Sequence, residues 1–514
     1  MRNFFDCFQT SEIEKTKPWL ILGKGPSFSK RHQFDLSAYN TLSLNHAVRE
    51  QAVTIAHIID LDVIYACGDA IEKNAQFLVM PWVPHVNNRA GSQDLSELAQ
   101  KNSLLNLMDE QGRLLWYNLS TTLQKKGDSP VIPVRFFSAE AALNLLAGAG
   151  VRLIRSLGVD GGASYSDDFD DLKDKTLLAN KWKSFDRQFA EIARTILTTG
   201  IDYAPLDIES PIRIFVATTE AQMLSVRVLE YSIRKHASMS VDVFPLHHSN
   251  IEIPLPKSRH NQPRTPFSFQ RFLIPAIKGY QGRAIYLDSD MQVFKDIRSL
   301  WTLPSNGAAL LAAREHRDSE RRPQFSVMLL NCELLHWDIQ AIVKALDEGQ
   351  LTYDQLMYKM SIVERFRADI DPAWNSLERY VNGETALLHY TDMNTQPWIS
   401  RDNPFGYLWM RDLLEAVENG FISTGFVKEH AVKGYIRPSL LYQVEHGIED
   451  SFLLPKRACL LDKDFVAPFH ALPTHGAVPW LRATSWLRAA GRHHYQKSLL
   501  YRLERSIRNR LASK

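Results

Sequence analysis

The chain has 514 residues, more than one ordinary hydrophobic core organises, so two domains with additions are expected. Its 45% hydrophobic and 23% charged residues are those of a globular protein, and a formal net charge of +2 offers no bulk attraction for nucleic acid. Four cysteines (Cys7, Cys67, Cys332 and Cys459), none in a CxxC pair, exclude a disulfide scaffold and a thiolate zinc site and fit a reducing compartment.

The N-terminus carries acids early and lacks the apolar core of a signal peptide. No apolar run is long enough to span a membrane, so a cytoplasmic location is expected.

In chain order, residues 18–25 read as a short apolar strand ending in glycines, Gly23-Lys-Gly25. Thr41–Asn45 and Thr54–Ile59 read as further buried strands. A helix over 139–149 is followed by a strand at Val151–Leu157 and a turn at Gly158-Val-Asp-Gly-Gly162. This alternation points to a parallel sheet. Residues 165–176 read as a solvated acidic loop, 180–198 as a helix and 203–211 as a linker. At Ile212–Ala217 the strand–helix pattern restarts, with helices over 221–236 and 268–279 and strands at Val241–Pro245 and Arg283–Leu287. The expected fold class is α/β: two Rossmann-like domains, 1–205 and 210–410, and an extension over 411–514 with a basic helical tail.

Asp-x-Asp occurs five times in the chain, and most such pairs are solvated turns. Asp288 and Asp290 differ, because Ala-Ile-Tyr-Leu before them reads as a buried strand. That places them at a strand's carboxyl end, where open α/β sheets bind ligands. Two carboxylates there repel unless they share a cation. Hard divalent cations favour such oxygen ligands and neutralise a diphosphate.

The segment from Phe267-Ser-Phe-Gln-Arg to Ala284-Ile-Tyr-Leu-Asp-Ser-Asp290 and on to Trp301 resembles glycosyltransferase family 8, whose members have a GT-A fold. Ile214-Phe-Val-Ala-Thr-Thr-Glu220, Ser326-Val-Met-Leu-Leu-Asn331, Asp354-Gln355 and His389-Tyr…Pro397-Trp398 continue the likeness, in the family's order, over residues 212–410. The resemblance implies a retaining transferase using a nucleotide sugar, a UDP-sugar by type, with Mn²⁺ or Mg²⁺ on Asp288, Asp290 and His389. Arg271 would steady the donor, Ala217 and Thr218 would touch the nucleotide, Asp354 would hold the sugar and Gln355 would lie on the reacting face. Gln324 and Gln396 fall at donor-site positions where the family usually has Asn and Lys. His389 also has a plain reading as a core histidine, and Asp354-Gln355 as an exposed helix start after Thr352.

In the first half, the glycine turn, Leu42-Ser-Leu-Asn45 and Arg152–Tyr165 resemble the bacterial sialyltransferases of family 42 and related nonulosonate-transferase-like domains, over about residues 17–170. That resemblance implies a CMP site lined by Gly23, Gly25, Ser27 and Asn45, with Asp160 near the ribose or base and Tyr165 on the phosphate. His46, His57 and His85 are all candidates for the base. An active second transferase and a degenerate binding module both remain open.

From Arg482 to Lys514, nine cationic residues and one acid, Glu504, leave a local charge of +8. Trp480, Trp486 and several leucines interleave with them. This fits a basic amphipathic helix at an anionic membrane surface, on the inner face of the cell membrane, with a solvated terminal helix as the plain alternative. The expected partners are a nucleotide-sugar donor, a glycan or glycolipid acceptor such as lipopolysaccharide or capsule, and that membrane surface, with no nucleic acid.

Overall fold

The computed structural model describes residues 1–10, 13–173, 184–314 and 325–468. The expected tail helix and Gln324 lie outside the described residues. The chain forms two compact units. Of the described residues, the first comprises those in Met1–Arg213 together with Arg234–Asp242 and Asp296–Leu303, and the second comprises the others.

The first unit is built on strands β1 (Arg2–Asn3), β2 (Trp19–Leu22), β3 (Asn40–Leu44), β4 (Val53–His57) and β5 (Ala75–Pro81). A small hairpin, β6 (His85–Val86) and β7 (Arg89–Ala90), interrupts them before β8 (Leu114–Leu119), β9 (Val131–Ile132), β10 (Leu153–Leu157) and β11 (Asp202–Pro205). The main sheet runs β1-β8-β5-β4-β3-β2-β10-β11, with β9 beside β8, and its pairings are parallel. Its inner strands β2, β3, β4 and β5 are largely buried because helices cover both faces, and two apolar clusters lie on either side of it. The helices include Leu61–Asn74, Ser138–Gly148 and Arg187–Thr199.

Two expectations change here. The linker expected from residue 203 begins inside β11: Tyr203 is fully buried, and its backbone N–H and C=O both bond Ser240. Residues 167–172 are not a solvated loop but a 3₁₀ turn that buries Phe169 and Leu172. Asp168 is bound there by Arg31, at 2.9 and 3.1 Å.

The second unit is organised on β12 (Ile212–Ala217), β13 (Val241–Pro245), β14 (Arg283–Asp288), β15 (Met291–Val293), β16 (Leu310–Ala313), β17 (Val327–Asn331), β18 (Phe366–Ile370), β19 (Ser376–Leu377) and β20 (Leu387–His389). The larger sheet has the order β13-β12-β14-β17-β16-β18, and β15-β20-β19 form a small second sheet. β14 is parallel to β12 and antiparallel to β17. The helix Met223–His236 follows β12 as expected. The helix expected over 268–279 is instead a 3₁₀ turn at Gln270–Leu273 and one α turn at Ile274–Ile277. Pro275 has no N–H to continue a helix, and Gly279 and Tyr280 adopt left-handed φ values of 61° and 58°, which end the turn. Helices Gly406–Glu418, Thr424–Val432 and Pro438–Glu445 follow. Among the described residues all four cysteines are free, and no helix is long and apolar enough to cross a membrane.

Candidate metal centre

β14 delivers Asp288 to its carboxyl end, in register with Ala217 of β12. The chain then turns through Ser289 and Asp290 into β15, which pairs antiparallel with β20 so that Met291 faces His389. Tyr390 N–H donates to the Asp290 carbonyl at 2.8 Å and locks that register. Two segments a hundred residues apart therefore converge, and Asp288, Asp290 and His389 each offer a ligand atom within 4.8 Å of the others.

Surrounding groups decide which atoms face inward. His389 Nδ1 lies 3.0 Å from Asn375 Oδ1, and His389 Nε2 lies 3.0 Å from Asp290 Oδ1 and 3.9 Å from Asp288 Oδ2. The outer oxygens are already engaged. Asp288 Oδ1 accepts from the Tyr286 hydroxyl at 2.5 Å and has Arg271 Nη2 at 3.7 Å. Asp290 Oδ2 accepts from Gln396 Nε2 at 2.9 Å. One oxygen of each carboxylate and one imidazole nitrogen are left pointing at a common space. Hydrogen-bonded outer partners of this kind orient ligands and tune their basicity.

Burial pushes the Asp288 carboxyl up from the usual carboxylate range, against the pull of Arg271 and His389. Burial lowers His389, but the carboxylates of Asp290, Asp288 and Glu378 together outweigh it and the imidazole pKa is raised. The Asp288 shift reports burial, and the His389 shift reports the carboxylates beside the ring. The donor set, two carboxylates and an imidazole, fits a hard divalent ion such as Mn²⁺ or Mg²⁺.

Arg271 is almost wholly buried and held in place. Nε donates to the Ser268 carbonyl at 3.1 Å, Nη1 to the Phe325 carbonyl at 3.0 Å, and the guanidinium packs 4.6 Å from the centre of the Tyr286 ring. Its neighbour Gln270, which sequence reasoning passed over, clamps Thr218: the Gln270 amide accepts from Thr218 N–H and donates to Thr218 C=O, both at 2.9 Å. Ala217 and Thr218 are fully buried. Thr219 Oγ1 is buried without a hydrogen-bond partner among the described residues.

Asp354 and Gln355 begin the short helix Tyr353–Met357. Gln355 Oε1 accepts from Thr352 N–H at 2.9 Å while Thr352 Oγ1 accepts from Gln355 N–H at 3.2 Å, a capping box. Asp354 is exposed, 3.7 Å from Arg264 Nη2. Tyr353 stacks near Phe269, ring centres 6.2 Å apart, so this helix start adjoins the turn that carries Arg271.

In the first unit, strand order reverses between β2 and β10, and Gly23–Ser27 and Gly158–Asp160 meet there. They meet too closely to leave a phosphate cradle. A Cβ on Gly23 would stand 2.2 Å from the Gly158 carbonyl oxygen. Gly23 N–H donates to Leu157 O at 2.8 Å, Gly25 N–H to Gly158 O at 2.9 Å and Ser27 N–H to Asp160 Oδ2 at 2.7 Å. Ser27 Oγ bonds Asp160 Oδ1 at 2.5 Å and accepts from Gly158 N–H at 2.7 Å. The Asp160 carboxylate thus fills the role expected of a bound phosphate. Asn45 has φ 53° and donates to Ser138 Oγ at 3.2 Å. Tyr165 is buried with Lys24 Nζ 4.7 Å from its ring centre, and burial pushes that ammonium down to about 8. Among the three candidate histidines, His57 is fully buried, bonded through Nε2 to the Tyr117 hydroxyl at 2.8 Å, and desolvation drops it to about 3. His46 is buried, and His85 Nε2 lies 2.9 Å from Thr121 Oγ1.

Residues 212–337 match the family model described as glycosyl transferase family 8, which identifies them as part of a glycosyltransferase domain. Protein CDI of Arabidopsis thaliana is 32% identical over 108 residues, which are 21% of this chain and 42% of that protein. Among solved structures, the apo-form glycosyltransferase GlyE of Streptococcus pneumoniae TIGR4 is similar at 17% identity, covering 44% of this chain and 65% of its own, with a TM-score of 0.30. The galactosyltransferase LgtC, in complex with donor and acceptor sugar analogues, is similar at 14% identity, covering 39% of this chain and 94% of its own, with a TM-score of 0.28. The chain thus spans less than half of the curated relative and just under two thirds of GlyE. These likenesses lend no support to a sialyltransferase resemblance in the first half.

Proposed function

We propose that the protein transfers a sugar, with retention of anomeric configuration, from a nucleotide-sugar donor of the UDP type to a surface-glycan acceptor such as lipopolysaccharide or capsule. The observation that carries this reading is the convergence of Asp288 Oδ2 and Asp290 Oδ1, which lie in the segment that matches a glycosyltransferase family, with His389 Nε2 from beyond it. Asp288, Asp290 and His389 would hold Mn²⁺ or Mg²⁺, which when bound neutralises a diphosphate and polarises its leaving oxygen. The chain's own groups do the rest. Asn375 holds His389 with Nε2 inward, Tyr286 and Gln396 hold the two carboxylates, and Arg271 adds a fixed positive charge beside Asp288. Such preorganised charge favours the departing diphosphate. Gln355 supplies no nucleophile, since its amide oxygen caps its own helix. The route we favour is attack of an acceptor hydroxyl on the face that the diphosphate leaves: the new bond to the anomeric carbon forms as the bond to the diphosphate breaks, and the hydroxyl proton passes to the departing diphosphate, with Asp354 exposed at its helix start to bind sugar.

The first half reads better as an accessory module than as a second active site, because Asp160 already occupies its glycine turn. The basic tail, +8 by sequence, is proposed to hold the protein reversibly on an anionic leaflet.

The test is turnover of a panel of sugar nucleotides with Mn²⁺, Mg²⁺ or EDTA. Turnover that needs the metal and vanishes in Asp290→Asn, with the fold intact, supports the proposal. Full activity of Asp290→Asn in EDTA sinks it.

A further inference from the structure

On the first unit's main sheet, at the edge opposite Gly23 and Asp160, the amino ends of β3, β4 and β5 floor an open groove of about 960 Å³. Three cations line it, Arg2, Lys73 and Arg113, and no carboxylate does. Their charges are not compensated. Arg113 donates from Nε to Gln76 O at 3.1 Å, from Nη1 to Gln111 Oε1 at 2.7 Å and from Nη2 to Glu72 O at 2.9 Å and Ala75 O at 2.5 Å, all neutral oxygens. Arg2 donates to the Gly112 carbonyl, also neutral. Lys73 is exposed at the end of the helix Leu61–Asn74. No carboxylate among the described residues stands within ion-pair distance of any of the three. Hydrogen bonds to neutral oxygens fix the two guanidinium groups in place without an anionic partner.

We propose that this groove binds an acidic glycan, a hydroxyl-rich chain carrying carboxylates. The volume is at the upper end of small-molecule sites and exceeds what a single phosphate needs. The character of the lining favours sugar over nucleic acid. Phosphate backbones are gripped by free arginine forks and by several stacking rings. Here the Arg113 fork is spent on backbone and amide oxygens, so it contributes field rather than a bidentate clamp. Around it stand Tyr39, a flat ring, and the amides of Gln51 and Gln76, groups suited to sugar faces and hydroxyls. The anion site rests on the groove alone; calling its ligand a glycan rests also on the glycosyltransferase reading, and it would let the first unit hold the growing acceptor.

The test is binding to the full-length protein in EDTA without donor, so that failure of transfer and failure of this groove are read separately. The probes are a hyaluronan hexasaccharide, neutral maltohexaose and a dodecamer of dT. The hexasaccharide should bind, weaken at 0.5 M salt on the order of tenfold because the exposed charges are screened, and weaken at least tenfold in Lys73→Glu and in Arg2→Gln. Both variants should keep wild-type thermal stability and wild-type metal-dependent turnover on a short acceptor. No binding of the hexasaccharide, equal binding of maltohexaose, tighter binding of the dT dodecamer, or indifference to both substitutions would each overturn the proposal.

Discussion

Asn375 fixes the face that His389 turns to the carboxylates: with Nδ1 taken by the Asn375 amide oxygen at 3.0 Å, Nε2 is the nitrogen left for Asp290 and Asp288. Removing the amide frees the ring to rotate. Asn375→Ala should weaken Mn²⁺ binding by about 10–100-fold, the range typical for loss of such an outer partner. Calorimetric titration of Mn²⁺ checks it, and an unchanged affinity would show that packing alone orients the ring.

The glycine turn of the first unit makes a graded stability prediction. At Gly23 an added Cβ meets the backbone carbonyl of Gly158 at 2.2 Å, and at Gly25 it meets a side-chain oxygen of Asp160 at 2.6 Å. A side chain yields more readily than a strand end, so Gly23→Ala should lower the melting temperature more than Gly25→Ala. Asp160→Ala strands the Ser27 N–H and hydroxyl and should cost about 1–3 kcal/mol. Thermal unfolding of the three variants gives the order, and a harmless Gly23→Ala would contradict the close approach.

Acid should destabilise the first unit through His57. Its pKa is lowered to about 3 in the folded state, because burial disfavours the charged ring, against an ordinary value near 6.5 when unfolded. Between those values the unfolded chain binds a proton that the folded chain refuses. The contribution is therefore whole above pH 6.5 and is lost as pH falls, at about 1.4 kcal/mol per unit once well below 6.5. His57→Gln, which keeps a polar partner for Tyr117, should flatten the fall in melting temperature between pH 6 and 4. An identical slope in both proteins would count against it.

Much of this was legible from pattern alone, for reasons particular to each segment. Asp288 and Asp290 stood out because an apolar run ends on them, and strand ends are local features. The helix at 138–148 and the strands before Gly23 and Asp160 were legible for the same reason. The segment after Phe267 was misread because apolar spacing outvoted Pro275 and Gly279. Asn375, Tyr286 and Gln270 escaped notice because each reaches the site only through tertiary pairing, and no spacing along the chain announces that. The glycine turn illustrates a subtler gap. Its shape was readable, but the partners of its N–H groups lie far along the chain, on Gly158 for Gly25 and 133 residues away on Asp160 for Ser27.

Gln396 carries the last prediction. The family resemblance leads one to expect lysine before Pro397-Trp398, a group for the donor's diphosphate. This chain has an amide instead, almost wholly buried, bonded to Asp290 Oδ2 at 2.9 Å and to the Tyr390 carbonyl at 3.0 Å. Its work in the metal-free protein is to satisfy one oxygen of a carboxylate that already faces a second carboxylate. Changing its charge should therefore move stability and metal affinity in opposite senses. Gln396→Glu places a third carboxylate beside Asp290; the metal-free protein loses both hydrogen bonds donated by the amide and gains repulsion, a cost of about 1–3 kcal/mol for each bond. Saturating Mn²⁺ should restore more stability to this variant than to the wild type, since a ligand that binds only the folded state stabilises by mass action. Gln396→Lys supplies an internal cation, so the metal-free protein should melt no lower than wild type while Mn²⁺ binds more weakly. Melting curves with and without Mn²⁺ for the three proteins decide it. If both variants shift in the same direction with metal, Gln396 acts by packing and its amide does not tune the charge on Asp290.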